Sequence, residues 1–183
     1  MARKESVTID RILDASFTMT REEGFRNITA RKVAAKVGCS TQPIFRVYKN
    51  MEELWDAVYD KAVQYFQDYI SLFPRTGKRP FSNLGLAYIA FAKEEKQLFE
   101  LLFLSFENSK KSMYEILNGD NDNVMFEIAL ARGQGCINPE EMFDKMWIFI
   151  HGAACLALTD NFQLSGVETL AMLEKTYDSF ANA

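Results

Sequence analysis

The sequence has few of the residues that most catalytic and metal-binding sites require. Its 183 residues include one histidine and three cysteines, and Cys39, Cys136 and Cys155 form no CxxC pair. It also contains no GxSxG, no HExxH and no glycine-rich phosphate loop. The cysteine pattern indicates neither a zinc site nor a disulfide framework. We therefore expect a protein that is not an enzyme and that uses no metal or cofactor.

Long hydrophobic runs are missing as well. The longest nearly uncharged run, residues 146–158, is shorter than the roughly 20 residues that a membrane-spanning helix needs. Residues 1–10 have no apolar core of the kind found in a secretory signal. We therefore expect a cytoplasmic protein that does not insert into membranes.

No segment alternates β-branched and polar residues, so the sequence shows no β-strand pattern. Apolar residues recur instead at helical spacing along almost the whole chain. The pattern predicts an all-α fold of about nine or ten helices. Caps, glycines and periodicity place them near 8–24, 29–38, 40–50, 51–73, 81–93, 95–107, 109–117, 122–133, 139–163 and 166–181.

Charge is distributed unevenly along the chain. Residues 1–50 contain ten Lys and Arg against five Asp and Glu, a net charge of +5, and the remainder carries −9 to give the total of −4. A basic segment beside an acidic one is typical of a protein that binds a polyanion at one end. Ordinary surface variation produces the same balance, so charge alone leaves both interpretations open.

Two short predicted helices, 29–38 and 40–50, meet at a glycine-containing turn inside the basic segment. This arrangement is typical of a helix-turn-helix. The second helix of that motif packs one face on the protein and presents the other to the major groove. On a helical wheel Ile44, Val47 and Tyr48 share one side, so we expect this side to be buried.

The opposite side of that helix carries groups that suit the chemistry of DNA. Gln42 can pair with an adenine edge, Arg46 with a guanine edge or a phosphate, and Lys49 with a phosphate. Pro43 and Phe45 can contact a thymine methyl group or a sugar. The remaining predicted contacts are two threonines at helix starts, where backbone N–H groups help to hold phosphate oxygens: Thr29 and Thr41.

The stretch from Ile12 to Val63 resembles the TetR family of transcriptional regulators. The resemblance rests on three ordered segments, ILDAS…EEGF, ITARKVAAKVGCS and PIFRVYKNMEEL. Two departures stand out. Family members usually carry an aromatic residue and a His or Tyr where this chain has Arg46 and Val47, and a phosphate-binding Lys where it has Met51. The resemblance therefore implies DNA binding with a changed base preference.

The same resemblance implies how the chain is organised. Residues 1–50 form the DNA-binding domain, and residues 51–183 form a helical domain for effector binding and dimerisation. A homodimer forms through the helices near 139–163 and 166–181. It binds a pseudo-palindromic double-stranded operator as a repressor associated with the nucleoid. A small-molecule effector, hydrophobic or aromatic, releases it by changing the separation of the two DNA-binding domains through the helix 51–73.

Two sets of residues support the second domain. Small residues along the 139–163 helix allow close helix approach in a dimer: Gly152, Ala153, Ala154 and Ala157. Twelve of the fifteen phenylalanines and both tryptophans lie beyond residue 50, and Trp147, His151 and Gly152 resemble a WxxxHG pattern of some TetR-type regulators. The candidate pocket residues are Phe66, Phe91, Phe103, Met125, Trp147 and His151. Core packing is the alternative for each, and a regulator without a small-molecule ligand is the alternative for the protein.

Overall fold

The computed structural model describes residues 7–105, 111–159 and 161–181. Within these ranges the protein is helical and contains no β-strand, which confirms the predicted all-α fold. The α-helices are α1 (Ile9–Glu23), α2 (Ala30–Val37), α3 (Gln42–Val47), α4 (Met51–Leu72), α5 (Ser82–Glu94), α6 (Lys96–Phe99), α7 (Met113–Asn118), α8 (Asn123–Gly133), α9 (Pro139–Leu158) and α10 (Gly166–Ala181). No helix in these described ranges has the length and apolarity needed to cross a membrane.

The first helices begin and end at the residues that the sequence indicates. Thr8 and Thr29 cap α1 and α2, each accepting a backbone N–H of the first turn at 3.3 Å. Gly24 and Gly38 follow these helices with φ angles of 88° and 77°. Glycine adopts these angles without the steric penalty of a Cβ atom, so it ends the helix at low cost.

Two predicted helix ends are wrong. Helix α3 stops at Val47 rather than near residues 49–50, because Tyr48 turns to an extended conformation (φ −112°, ψ 125°). Helix α9 stops at Leu158, whereas the prediction extended it to 163. The hydroxyl of Thr159 donates to the Leu156 carbonyl at 2.9 Å, and the backbone N–H of Asn161 donates to the same oxygen at 3.3 Å. These two hydrogen bonds give the Leu156 carbonyl its partners after the helix has ended.

The predicted helix 95–107 is also interrupted. Glu95 leaves the helical region (φ −122°, ψ 50°), which separates α5 from α6. A π-helical turn, Glu100–Leu104, follows α6 and ends at Ser105. The last residues of this prediction, 106 and 107, and the first of the next one, 109 and 110, lie outside the described residues.

The chain divides into two compact units, which we call the head and the body. The head comprises the described residues of Met1–Tyr65 and Gln97–Ser109, and the body those of Phe66–Lys96 and Lys110–Ala183. The division falls within α4, so this helix contributes residues to both units. The functional boundary at residue 50 remains a prediction.

The core of the head beneath the predicted helix-turn-helix consists mainly of aliphatic side chains. Its fully buried members come from α1, α2, α3 and the start of α4: Ile12, Val33, Ile44, Leu54 and Val58. Burying one such side chain contributes about 1.5–3 kcal/mol relative to leaving it exposed. Because Ile44 is the fully buried residue of α3, it fixes this helix to the rest of the head.

In the body, α5 packs closely against α9 and α10. A Cβ atom placed on Gly85 of α5 would lie 2.7 Å from Ile150 Cδ1 and 3.3 Å from Leu173 Cδ1, so only glycine permits this approach. On α9 the small residues Ala153, Ala154 and Ala157 are also buried within the body. Their predicted place at a dimer interface is therefore wrong, and Gly152 alone of the four is exposed.

Candidate functional site

Helix α3 separates a packing face from an exposed face, as its wheel predicts. Ile44 and Tyr48 are buried in the head core, and Val47 packs partly against it. The opposite face is exposed: Gln42, Phe45 and Arg46. Phe45 is 47% exposed although it is a large apolar side chain. The exposed face of α3 thus offers an amide, an aromatic ring and a guanidinium group, and the exposed Lys49 lies beyond the end of the helix.

The lysines of α2 are paired with acids at the end of α1. Lys32 Nζ lies 2.8 Å from Glu23 Oε2, and Lys36 Nζ lies 2.6 Å from Glu22 Oε2. The hydrogen bond and the charge of Lys32 lower the pKa of Glu23. These pairs are solvent-exposed, so each contributes little to stability, but each lysine charge is already neutralised within the head.

Two exposed arginines of the helix-turn-helix differ from these lysines. Neither Arg31 nor Arg46 forms an ion pair with any residue that the structure describes. A guanidinium group binds phosphate or a guanine edge through two parallel hydrogen bonds. Arg46 is a predicted DNA contact, whereas Arg31 is a candidate that the sequence prediction missed. Its signal was its position in the first turn of α2, two residues after the predicted cap Thr29.

The other predicted contacts lie at the edges of α2 and α3. Thr29 accepts a backbone N–H through its oxygen, which leaves its hydroxyl hydrogen able to donate. Thr41 precedes α3 without a side-chain cap, and Pro43 lies in the first turn. Lys49 Nζ lies 3.5 Å from Glu53 Oε1, and its backbone N–H donates to Glu53 Oε2 at 2.8 Å. All seven predicted DNA contacts therefore belong to one unit, the head.

In the body, an aromatic cluster brings together four of the six predicted pocket residues. Phe66 contacts Phe91 with ring centroids 4.9 Å apart, and both rings contribute to the buried core. Tyr88 links them to α9, because its ring lies 6.1 Å from Phe66 and 4.7 Å from Trp147. Trp147 in turn stacks on His151 at 5.9 Å. The sequence prediction missed Tyr88, which lies within an apolar run.

A chain of hydrogen bonds crosses this cluster. The hydroxyl of Tyr88 lies 2.9 Å from Nδ1 of His151, and Nε2 of His151 lies 3.6 Å from Sγ of Cys155. Burial lowers the pKa of His151 and raises the pKa of both Tyr88 and Cys155. All three groups are therefore held in their neutral forms, which suits an uncharged environment.

The remaining two predicted pocket residues lie apart from the cluster. Phe103 belongs to the head, where its ring packs on Phe99 at 5.1 Å. Met125 of α8 is about half exposed. An open groove of about 780 Å³ in the body is lined by other side chains, among them Met142 and Tyr177, and by none of the six predicted pocket residues.

Comparison with known proteins gives matches only among solved structures, since no family model and no curated protein matches the sequence. A TetR-family transcriptional regulator from Vibrio parahaemolyticus is similar with a TM-score of 0.67 and 16% identity, over 93% of this chain and 96% of that one. One from Haemophilus influenzae has a TM-score of 0.64 and 16% identity, over 92% and 93%. The fatty acid degradation regulator from Bacillus halodurans has a TM-score of 0.59 and 14% identity, over 96% and 99%.

At identities of 14–16% these likenesses concern the fold. They extend over more than nine tenths of both chains in each pair, so they include the helices of the body as well as the helix-turn-helix. The resemblance seen in residues 12–63 is thereby confirmed at the level of the whole fold. The chain has the fold of the TetR-family transcriptional regulators.

Proposed function

We propose that this protein is a transcriptional regulator, a repressor by default, that binds double-stranded DNA through α2 and α3. The observation that carries the proposal is the exposed face of α3. Arg46 and Gln42 lie on it with unpaired hydrogen-bonding groups, and Ile44 anchors the helix from behind. A short helix held in this way is what the major groove requires of a recognition helix.

Specific contacts follow from the side chains of that face. Arg46 suits the two acceptors of a guanine, Gln42 suits an adenine edge, and Phe45 suits a thymine methyl group. A good contact of this kind contributes about 1–3 kcal/mol of discrimination against the wrong base. The operator is therefore expected to contain both guanine and adenine in each half-site.

Phosphate contacts surround the proposed base contacts. Thr29 and Arg31 belong to the first turn of α2, where backbone N–H groups and a guanidinium can meet one phosphate. Lys49 can meet a second phosphate once it leaves Glu53. Met51 supplies no such contact, because it packs against the head core. In our proposal Arg31 and Lys49 compensate for the missing lysine.

A homodimer is proposed to form through α9 and α10. Ile148, Gly152 and Leu156 lie on one face of α9 at a spacing of four residues and are exposed, Ile148 by 74%. Val167 adds an exposed apolar side chain on α10. Contiguous exposed apolar residues of this kind mark association surfaces. A two-fold dimer would present two recognition helices about 34 Å apart, which suits a pseudo-palindrome.

The effector is proposed to be small and hydrophobic or aromatic, and to bind at the aromatic cluster of the body. Trp147 and His151 support this proposal, since both are only partly buried and both lie against the ring of Tyr88. Complete burial of Phe66 and Phe91 favours the second candidate, a regulator whose body only dimerises. A ligand acts on DNA binding only if its affinity differs between two conformations of the protein.

The first experiment selects binders from a random double-stranded DNA pool at moderate salt. Recovery of a pseudo-palindrome supports the proposal, and a pool without any motif contradicts it. Anisotropy with Arg46→Ala and Gln42→Ala then tests the contacts at individual bases. Arg132→Ala is the matched control, because Arg132 is an exposed arginine of the body that pairs with Glu140.

The dimer and the effector need separate measurements. Gly152→Leu is suited to the dimer, since Gly152 is exposed and nothing in the protomer lies within 4 Å of a Cβ atom at this position. Sedimentation should show a shift towards monomer, and an unchanged dimer would rule out this face. Uncharged aromatic compounds screened by thermal shift, with His151→Ala for comparison, distinguish a ligand-responsive regulator from one without a ligand.

A further inference from the structure

Residues 73–81 (FPRTGKRPF), which we call the strap, connect α4 to α5 within the body. The strap brings three basic residues into the acidic part of the chain. Two of them are tied to helices far along the sequence. Arg75 Nη2 lies 2.8 Å from Glu127 Oε1 of α8, and Arg79 Nε lies 2.7 Å from Asp178 Oδ1 of α10.

Further hydrogen bonds hold the middle of the strap. The backbone N–H of Lys78 donates to Glu174 Oε1 of α10 at 2.5 Å. Gly77 exchanges two bonds with the side-chain amide of Asn83, donating at 2.7 Å and accepting at 3.0 Å. The strap is therefore attached to α5, α8 and α10 along its length.

Glu127 differs from the other anchors because its side chain is only 1% exposed. Its second oxygen, Oε2, accepts the backbone N–H of Phe81 at 2.6 Å. One buried carboxylate thus binds both ends of the strap, Arg75 at the start and Phe81 at the end. Burial raises the pKa of Glu127, while the Phe81 N–H and Arg75 oppose this shift.

Phe81 has a backbone conformation that few residues other than glycine adopt. Its φ angle is 65°, and its ring is buried beside Phe143 and Tyr177 at centroid distances of 5.8 and 6.3 Å. A left-handed residue with a large side chain is strained unless its surroundings hold it. The bond from its N–H to Glu127 supplies such a restraint, so this one carboxylate holds both the strained residue and Arg75.

We propose that the strap is a latch that Glu127 closes. In the closed state it ties the C-terminal end of α4 to α8 and α10, and loss of the Glu127 contacts releases it. Because α4 also contributes to the head and α10 contributes to the proposed dimer face, the latch would set how readily the body changes the conformation of α4. This regulatory role rests on the proposed function, whereas the latch itself does not.

Limited trypsin digestion tests the latch without DNA, because the strap contains cleavable bonds after Arg75 and Lys78. Cleavage follows the population of the open state when reclosing is fast. Glu127→Gln keeps the shape of the side chain but removes its charge, and we expect cleavage in the strap to rise at least about tenfold. Asp178→Asn removes the half-exposed ion pair with Arg79 and should raise cleavage in the strap by only about twofold.

Cleavage after Lys145 in α9 reports general unfolding of the body. A Glu127→Gln protein cleaved equally fast at Lys145 and in the strap, or no faster than the wild type, overturns the latch. Equal effects of Glu127→Gln and Asp178→Asn also overturn it, since the buried carboxylate would then have no special role. Arg75→Gln, cleaved after Lys78, gives a second test if Glu127→Gln does not fold.

Operator affinity tests the regulatory role. If the closed latch belongs to the DNA-binding state, Glu127→Gln should lower operator affinity about tenfold and Asp178→Asn by less than about twofold. If Glu127→Gln speeds cleavage in the strap but leaves operator affinity unchanged, the proposed coupling between the latch and DNA binding is wrong. The latch itself would still stand. A wild-type protein that binds no DNA sequence would contradict the proposed function, and the digestion result would stand independently.

Discussion

The core beneath α3 in the head is mainly aliphatic, whereas the centre of the body is an aromatic cluster crossed by side-chain hydrogen bonds. Ile12, Val33 and Ile44 are fully buried members of one cluster in the head. In the body, Tyr88 reaches His151 through a hydrogen bond inside the aromatic cluster. The helices of the head are therefore held mainly by aliphatic packing, and those at the centre of the body by aromatic packing together with hydrogen bonds.

This difference has a physical consequence for each unit. Close-packed branched side chains resist changes in volume. The position of α3 therefore depends mainly on how well the side chains beneath it fit together. A buried polar group that loses its hydrogen-bond partner destabilises the folded state, because its desolvation is then no longer compensated. The body therefore responds to protonation as well as to packing, and the head responds mainly to packing.

The largest effect should come from breaking the aliphatic core. Ile44→Ala removes the fully buried anchor of α3, and we expect the head to lose about 2–5 kcal/mol of unfolding free energy. Hydrogen exchange in α2 and α3 measures this loss. Phe45→Ala is the control one residue away, on the exposed face, and should change stability by less than about 0.5 kcal/mol. Similar losses for both variants would contradict the division of α3 into two faces.

The next largest effect should come from replacing two helical glycines of the body with alanine. The two substitutions should change stability in opposite directions. Gly85→Ala drives a methyl group towards Ile150 and Leu173, which should cost about 1–3 kcal/mol. Gly152→Ala meets open space in the protomer and should stabilise α9 by up to about 1 kcal/mol. Urea denaturation measures both. A stabilising Gly85→Ala would mean that α5 and α9 can separate at little cost.

A smaller effect should appear as pH falls, and it should belong to the body. Burial lowers the pKa of His151 below the value of about 6.5 that it has in an unfolded chain. The resulting stability is complete above that unfolded value and is lost as pH falls towards the folded one. Melting temperatures between pH 7.5 and 5 should therefore fall more steeply for the wild type than for His151→Gln. Parallel curves would show that His151 does not contribute.

The smallest effect concerns one phosphate contact of the head. Lys49→Gln should weaken binding to all DNA sequences by a similar factor and reduce the salt slope of binding by about 1. Titrations at several salt concentrations on operator and random DNA measure this slope. A loss restricted to the operator would instead assign Lys49 to base recognition, which the α3 geometry does not predict.

Local signals account for the parts of the fold that the sequence predicted correctly. Thr8, Thr29, Gly24 and Gly38 act within one helical turn of their own position, so they can be recognised in the sequence. The two faces of α3 follow from helical periodicity in the same way. Those features were enough to place the helix-turn-helix.

The features that sequence analysis missed depend on contacts between distant segments. Glu127 and Phe81 are 46 positions apart, and Tyr88 and His151 are 63 apart, so neither pair leaves a periodic trace. The small residues of α9 show the same limit. Their composition indicated close packing, but only the tertiary structure shows that Ala153 and Ala154 are buried within the protomer.

The single anchor of α3 also bears on how this chain can evolve. The helix has six residues, and Ile44 is the one that is fully buried in the core. Substitutions at Gln42, Phe45 and Arg46 on the outer face leave that packing intact, so under the proposed function mutation can explore new operators without first losing a folded head. A duplicated copy of the gene could diverge in target by one or two point mutations.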